Sequence, residues 1–183
     1  MNPPAGPDLQ QRSVLAFERM SAHETSVVLD SARTLQRAAR DGRTPTPQTP
    51  LQTPPLPQTP LRGKNLGLLS EADDGDAALF RQAATELGAH VAQIRPSLSG
   101  LSTPQEVQHT ARMLGRLYDA VECQGMAAAL VQQVGVAAGV PVYDGIAGQA
   151  HPTARLAALL GGDSSAADNR RFVLQAVLLC TMS

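Results

Sequence analysis

The sequence predicts an α/β fold: a three-layer domain with a central four-stranded parallel sheet, with N-terminal and C-terminal helices packed on it. Three observations lead there. From residue 62 onward, short apolar runs alternate with helical segments, and repeated strand–helix units build a parallel sheet covered on both faces. Hydrophobic residues make up 43% of the 183, aromatics only 3%, and there is no Trp, so the core must be Leu, Val and Ala. The last segment is apolar nearly all round, as a helix buried on more than one side must be.

Residues 1–20 hold three prolines in the first ten positions and read as a flexible N-terminal segment. A helix is expected over 21–42. Ser21 and Glu24 have capping-box spacing, Val28, Ala32, Leu35 and Ala39 form one stripe, and Gly42 is a stop. Residues 43–61 form a Pro/Thr-rich insertion that should be disordered. Seven of the 14 prolines lie in 44–60, without a single charge, and Pro-Gln-Thr-Pro-Leu occurs at 47–51 and again at 57–61. Proline fixes φ and lacks an N–H, so extended polyproline-like chain is the expectation. Pro57, Pro60 and Arg62 also fit a PxxPx(basic) ligand pattern.

The α/β domain spans 62–163. Strands are expected at 66–69, 90–94, 120–123 and 140–143, and helices at 77–87, 126–134 and 152–160. Thr103, Pro104 and Glu106 combine a cap, a first-turn proline and a capping-box acid, opening a helix to about residue 117. Gly161 and Gly162 give a turn, and 164–183 holds the final helix, over 166–182.

Composition narrows the function. Lys plus Arg number 15 and Asp plus Glu 16, a balance that argues against nucleic acid or an acidic membrane as partner. No apolar run approaches the length of a membrane span, and no signal peptide is recognisable. Two cysteines, Cys123 and Cys180, are too few for a disulfide framework, so a cytoplasmic setting is expected. The four histidines are scattered without paired ligand spacing, there is no Gly-rich phosphate fingerprint, and no metal or other cofactor is expected.

Several segments together carry a family resemblance. They are Leu61-Arg62-Gly63-Lys64-Asn65, Gly88-Ala89-His90-Val91, Thr110-Ala111-Arg112-Met113-Leu114-Gly115-Arg116-Leu117-Tyr118-Asp119, Val140-Pro141-Val142-Tyr143-Asp144-Gly145 and His151-Pro152-Thr153. With these, residues 62–160 resemble the carbamoyl-phosphate-binding domain of the aspartate/ornithine carbamoyltransferases, ornithine carbamoyltransferase most closely, and the first helix shares the likeness. Asp168-Asn169-Arg170 followed by an apolar helix looks like the family's final helix. In the family a second, amino-acid-binding domain precedes that helix. Here residues 161–167 alone intervene, so the resemblance implies that the second domain has been deleted and the returning helix kept.

The resemblance also locates a site and shows it altered. The family's phosphate loop is Ser-Thr-Arg-Thr-Arg at a helix N-terminus, where free amides, the helix dipole and guanidinium forks hold a dianion. Counting back from Phe80, Asp73, Asp74, Gly75, Asp76 and Ala77 occupy that loop. One unit-charge pair at 4 Å is worth roughly 4 kcal/mol at an effective dielectric of 20, so replacing attraction by repulsion should remove useful affinity for carbamoyl phosphate. The structural reading is that Asp74 or Asp76 caps the helix with the protein's own charge. The alternative is a hard-cation site. The family's Arg after the third strand aligns with Gln124, and the Gln of its His-Pro-x-Gln motif with Ala154. His151 is the retained family contact, with a structural hydrogen-bonding role the simpler reading.

The resulting expectation is a degenerate, non-catalytic carbamoyltransferase-like protein with an assembly or binding role. Partners would be further copies of itself (a trimer, by resemblance) or an intact carbamoyltransferase. The alternative is a working carbamoyltransferase subunit of amino-acid metabolism, completed by a partner chain. A Pro-rich adaptor using 44–60 as ligand is a third reading, and a decaying gene without a selected role a fourth.

Overall fold

The computed structural model describes residues 21–41, 59–100 and 102–182. The N-terminal segment and nearly all of the Pro/Thr-rich stretch lie outside these. In chain order the elements are α1 (Ala22–Asp41), β1 (Asn65–Leu69), α2 (Gly75–Glu86), β2 (His90–Ile94), α3 (Pro104–Leu117), β3 (Ala120–Cys123), α4 (Ala128–Ala138), β4 (Val142–Asp144), α5 (Pro152–Leu160) and α6 (Ala166–Met182). The strands form one four-stranded sheet in the order β2-β1-β3-β4, every pair parallel. This is the three-layer α/β fold expected from the sequence.

Side-chain alternation along the strands sorts the core into two faces. Leu66 and Leu68 of β1 and Tyr143 of β4 join Phe80 of α2 and the buried face of α6. Leu69, Val121, Cys123 and Val142 point the other way, onto Val107, Ala111 and Leu114 of α3 and Val131 and Val134 of α4. On that second face α3 and α4 touch at Gly115. A Cβ there would sit 1.8 Å from the Ala138 carbonyl oxygen, so the contact admits only glycine.

Capping fixes the helix starts. Ser21 and Glu24 close the predicted box, with Ser21 N–H donating to Glu24 Oε2 at 2.7 Å and Glu24 N–H to Ser21 Oγ at 3.2 Å. Thr103 and Glu106 do the same for α3, with Pro104 in its first turn. Those hydrogen bonds hold the exposed Glu106 carboxyl below its ordinary range.

Several boundaries differ from the sequence expectation, three of them with a visible cause. The second helix begins at Gly75 rather than residue 77, because Asp74 caps it. The fourth runs on to Ala138 instead of stopping at 134, ending only where Gly139 turns left-handed at φ 73°. The fourth strand starts at Val142, since Pro141 has no N–H to pair. Its carbonyl still accepts from Val121 N–H at 2.9 Å.

The last helix explains its own composition. It packs against α1, α2 and α5 together, and its residues from Phe172 to Leu178 are all buried. Polar side chains on it find partners inside: Thr181 meets the Tyr143 hydroxyl at 2.6 Å, and Asn169 Oδ1 accepts from Gln36 Nε2 at 3.0 Å. Gln36 and Asn169 both donate to the Gly161 carbonyl, which ties α1 and α6 to the end of α5. The end of the PxxP-like pattern is also absorbed into the domain. Leu61 is buried in the core, and Thr59 packs against Gly88 so closely that a Cβ there would lie 2.6 Å from its Cβ.

Candidate functional site

Parallel sheets bind ligands beyond the carboxyl ends of their strands, where helices begin. At that edge the loops after β1, β2 and β3 enclose a cavity of about 320 Å³. Ser70, Glu71 and Asp74 line it from the first loop, Ser99 from the second, and Gln124 from the third, over an apolar wall that includes Leu98 and Leu130. Among the described lining residues there is no Lys, Arg or His.

The three loop aspartates each have a different partner. Asp74 is the N-cap of α2, its Oδ1 accepting from Ala77 N–H at 2.9 Å. The amide end that would hold an anion is therefore occupied by the protein's own carboxylate. Asp73 pairs with Arg81 at 2.7 Å, and Arg81 also reaches Gln93 at 2.6 Å. Asp76 lies 3.5 Å from Arg170, which arrives from α6 and donates to the Ala147 carbonyl. Ala77 is fully buried, and Gly75 has open space where a Cβ would be. No group of three or more ligating side chains among the described residues has the arrangement of a metal site, because the acids turn to separate partners.

Gln124 borders the same cavity as Asp74, and its Oε1 is buried without a hydrogen-bond partner. His151 and Ala154 do not line it. His151 is the N-cap of α5: Thr153 N–H lies 3.2 Å from Nδ1, and the Thr153 hydroxyl lies 2.9 Å from the same nitrogen. Burial pushes its pKa down to about 4, so the ring is neutral near pH 7. Thr153 Oγ1 in turn donates to the Ile146 carbonyl at 2.6 Å, fixing the loop before α5.

Two residues important at this edge were not singled out by the sequence. Arg170 reaches the loop only through the docking of α6, although the Asp168-Asn169-Arg170 triplet pointed to that helix. Glu122 sits in the buried strand β3, fully inaccessible, with neither carboxyl oxygen hydrogen-bonded. Desolvation, with Asp144 next, raises its pKa to about 8. A charged residue inside an otherwise apolar strand was the signal available. Burial, followed by the Glu122 and Asp144 charges, also raises the neighbouring Cys123 thiol.

Residues 12–161 match the carbamoyl-P binding domain family of aspartate/ornithine carbamoyltransferase. The chain belongs to this family. Among curated carbamoyltransferases, that of Actinobacillus pleuropneumoniae serotype 5b, an ornithine carbamoyltransferase, is 34% identical over 154 residues, covering 84% of this chain and 42% of the relative. The catabolic ornithine carbamoyltransferase of Pseudomonas putida is 32% identical over the same length, with the same coverage. The chain thus spans about 42% of the length of these relatives. The fold is shared with the ornithine carbamoyltransferase of Pyrococcus furiosus, at TM-score 0.65 and 22% identity, covering 85% of this chain and 46% of that one. It is shared too with the aspartate transcarbamoylase of Trypanosoma cruzi, at TM-score 0.59 and 20% identity, covering 84% and 46%. Within this carbamoyltransferase-family domain the most specific sequence motif is structural. Gly115 makes the α3–α4 contact, and Asp119 Oδ2 accepts from Asn65 N–H at 2.8 Å while Lys64 lies 3.4 Å from its Oδ1.

Proposed function

We propose that this chain is a non-catalytic member of the carbamoyltransferase family, its anion cradle closed by its own carboxylates, and that it acts through assembly or binding. The observation that carries this reading is the double occupation at the start of α2. Asp74 takes the helix amide, and Asp76 takes the guanidinium of Arg170. A phosphate dianion would have to displace both and then face acids at about 4 kcal/mol per close charge pair. The expected partners are further copies of the chain, as a trimer, or an intact carbamoyltransferase, in the cytoplasm. The short joint between α5 and α6 supports a single-domain unit whose returning helix serves as cover.

Calorimetric titration with carbamoyl phosphate tests the closed cradle. No heat of binding is expected into the millimolar range, and a dissociation constant at or below millimolar would overturn it. Size-exclusion chromatography with light scattering, alone and mixed with an intact ornithine carbamoyltransferase, tests assembly. A strictly monomeric chain that leaves the transferase's elution unchanged would remove that role.

A second reading keeps activity, as a subunit completed by a partner chain. It is favoured by one observation, the placement of an arginine, Arg170, at the loop by α6. Carbamoyl transfer in the mixture above that of the transferase alone would support it.

A further inference from the structure

Glu122 lies on β3 opposite Leu68 of β1 and Tyr143 of β4, facing the core side covered by α2 and α6. Both its oxygens are sealed from solvent and without a hydrogen bond. A carboxylate in that position would be an uncompensated buried charge, which costs several kcal/mol, so the resting fold holds the neutral acid. The groups around it come from each packed element. Asp144 from β4 and Asp76 from α2 oppose ionisation, and the backbone amides of Ile146 and Ala147 favour it. Arg170 of α6 is the cation held by this loop, bound to Asp76 and to the Ala147 carbonyl. Cys123 and the Tyr143 hydroxyl are both raised, so neither competes for the charge. His151, at the far end of the same loop, is neutral above about pH 4.

We propose that Glu122 is a proton-loaded latch on residues 145–151, the loop between β4 and α5, whose Ile146 and Ala147 share the buried cluster of its strand neighbours Leu68 and Tyr143, and that loss of its proton to solvent draws the Ile146 and Ala147 amides toward β3, carrying with Ala147 the Arg170 guanidinium bound to its carbonyl. The neutral acid leaves Arg170 to Asp76 and to the Ala147 carbonyl. The ionised form recruits the Ile146 and Ala147 amides, because charge-assisted hydrogen bonds are stronger than neutral ones, and Arg170 follows through its bond to the Ala147 carbonyl. The loop carries the His151 cap at its end, so the start of α5 follows its position. Desolvation places the midpoint near pH 8.

The test is an NMR titration of the full isotope-labelled chain from about pH 6 to about pH 10, following the Glu122 carboxyl carbon, the Ile146 and Ala147 amides and the Arg170 side chain. All are expected to move with one midpoint near 8. Glu122→Gln should leave the loop amides and Arg170 flat. Asp144→Asn, which removes a repelling charge while keeping Glu122, should lower the shared midpoint. A carboxyl carbon that titrates in the ordinary range near 4.3 would overturn the proposal. So would loop amides that stay still while it titrates, or that move equally in Glu122→Gln. Should that variant fail to fold, an Asp144→Asn midpoint that does not fall is itself decisive against it.

Discussion

Two residues with opposite pKa shifts set how stability depends on pH. Glu122 has a folded pKa of about 8, against roughly 4.3 in the unfolded chain. The folded state therefore holds the extra proton, and stability from this group is full below about pH 4.3 and lost as pH rises to 8. His151 runs the other way. Its folded value of about 4 lies below the usual 6.5, so its stability is present above 6.5 and lost as pH falls toward 4. The two slopes oppose each other between about 4.3 and 6.5, leaving a net loss from Glu122 between 6.5 and 8. Glu122→Gln is expected to flatten that upper slope and to gain on the order of a few kcal/mol relative to wild type between pH 5 and pH 8.5, by urea denaturation at the two values. Asp74 acts locally. Asp74→Ala removes the α2 cap and should cost about 1 kcal/mol, whereas Asp74→Ser should keep most of it.

At the scale of elements, packing of helix on helix dominates. The α3–α4 contact at Gly115 leaves no room for a methyl group, so Gly115→Ala must push α4 away. A loss of about 1–3 kcal/mol or more is expected in denaturant melts. The α6 helix is buried on several sides, and Leu178, fully inaccessible within it, should cost about 2–5 kcal/mol on truncation to Ala. Sequence periodicity gave the extents of β2, β3, α3, α5 and α6 without revision, since caps, prolines and glycines sit at their ends. It misjudged the ends of α4 and β4, where the deciding features were a left-handed glycine and a proline that accepts but cannot donate.

At the scale of the molecule, the proposed closure of the site rests on the charge sign of one loop. The cavity beyond the sheet remains, yet Glu71 and Asp74 face it without a cation among its described lining residues. Reversal should be partly possible. Gly75 has open space at its Cβ position, and Asp76 is what engages Arg170. The double variant Gly75→Arg, Asp76→Thr replaces one acid and adds one guanidinium. It is expected to bind carbamoyl phosphate at least tenfold more tightly than the parent by calorimetry. Equal, undetectable binding in both would show that the loop charge is not what closes the site.

The sequence by itself determined the layer order, the element spacing and the sign of the loop, because periodicity, caps and formal charge are local properties of the chain. Which partner each aspartate takes was decided only by tertiary structure. Arg170 lies 94 positions beyond Asp76 and meets it because α6 docks across α2, and Glu122 is costly because three layers close over it. Burial and long-range charge pairing belong to the assembled fold, and no local pattern encodes them.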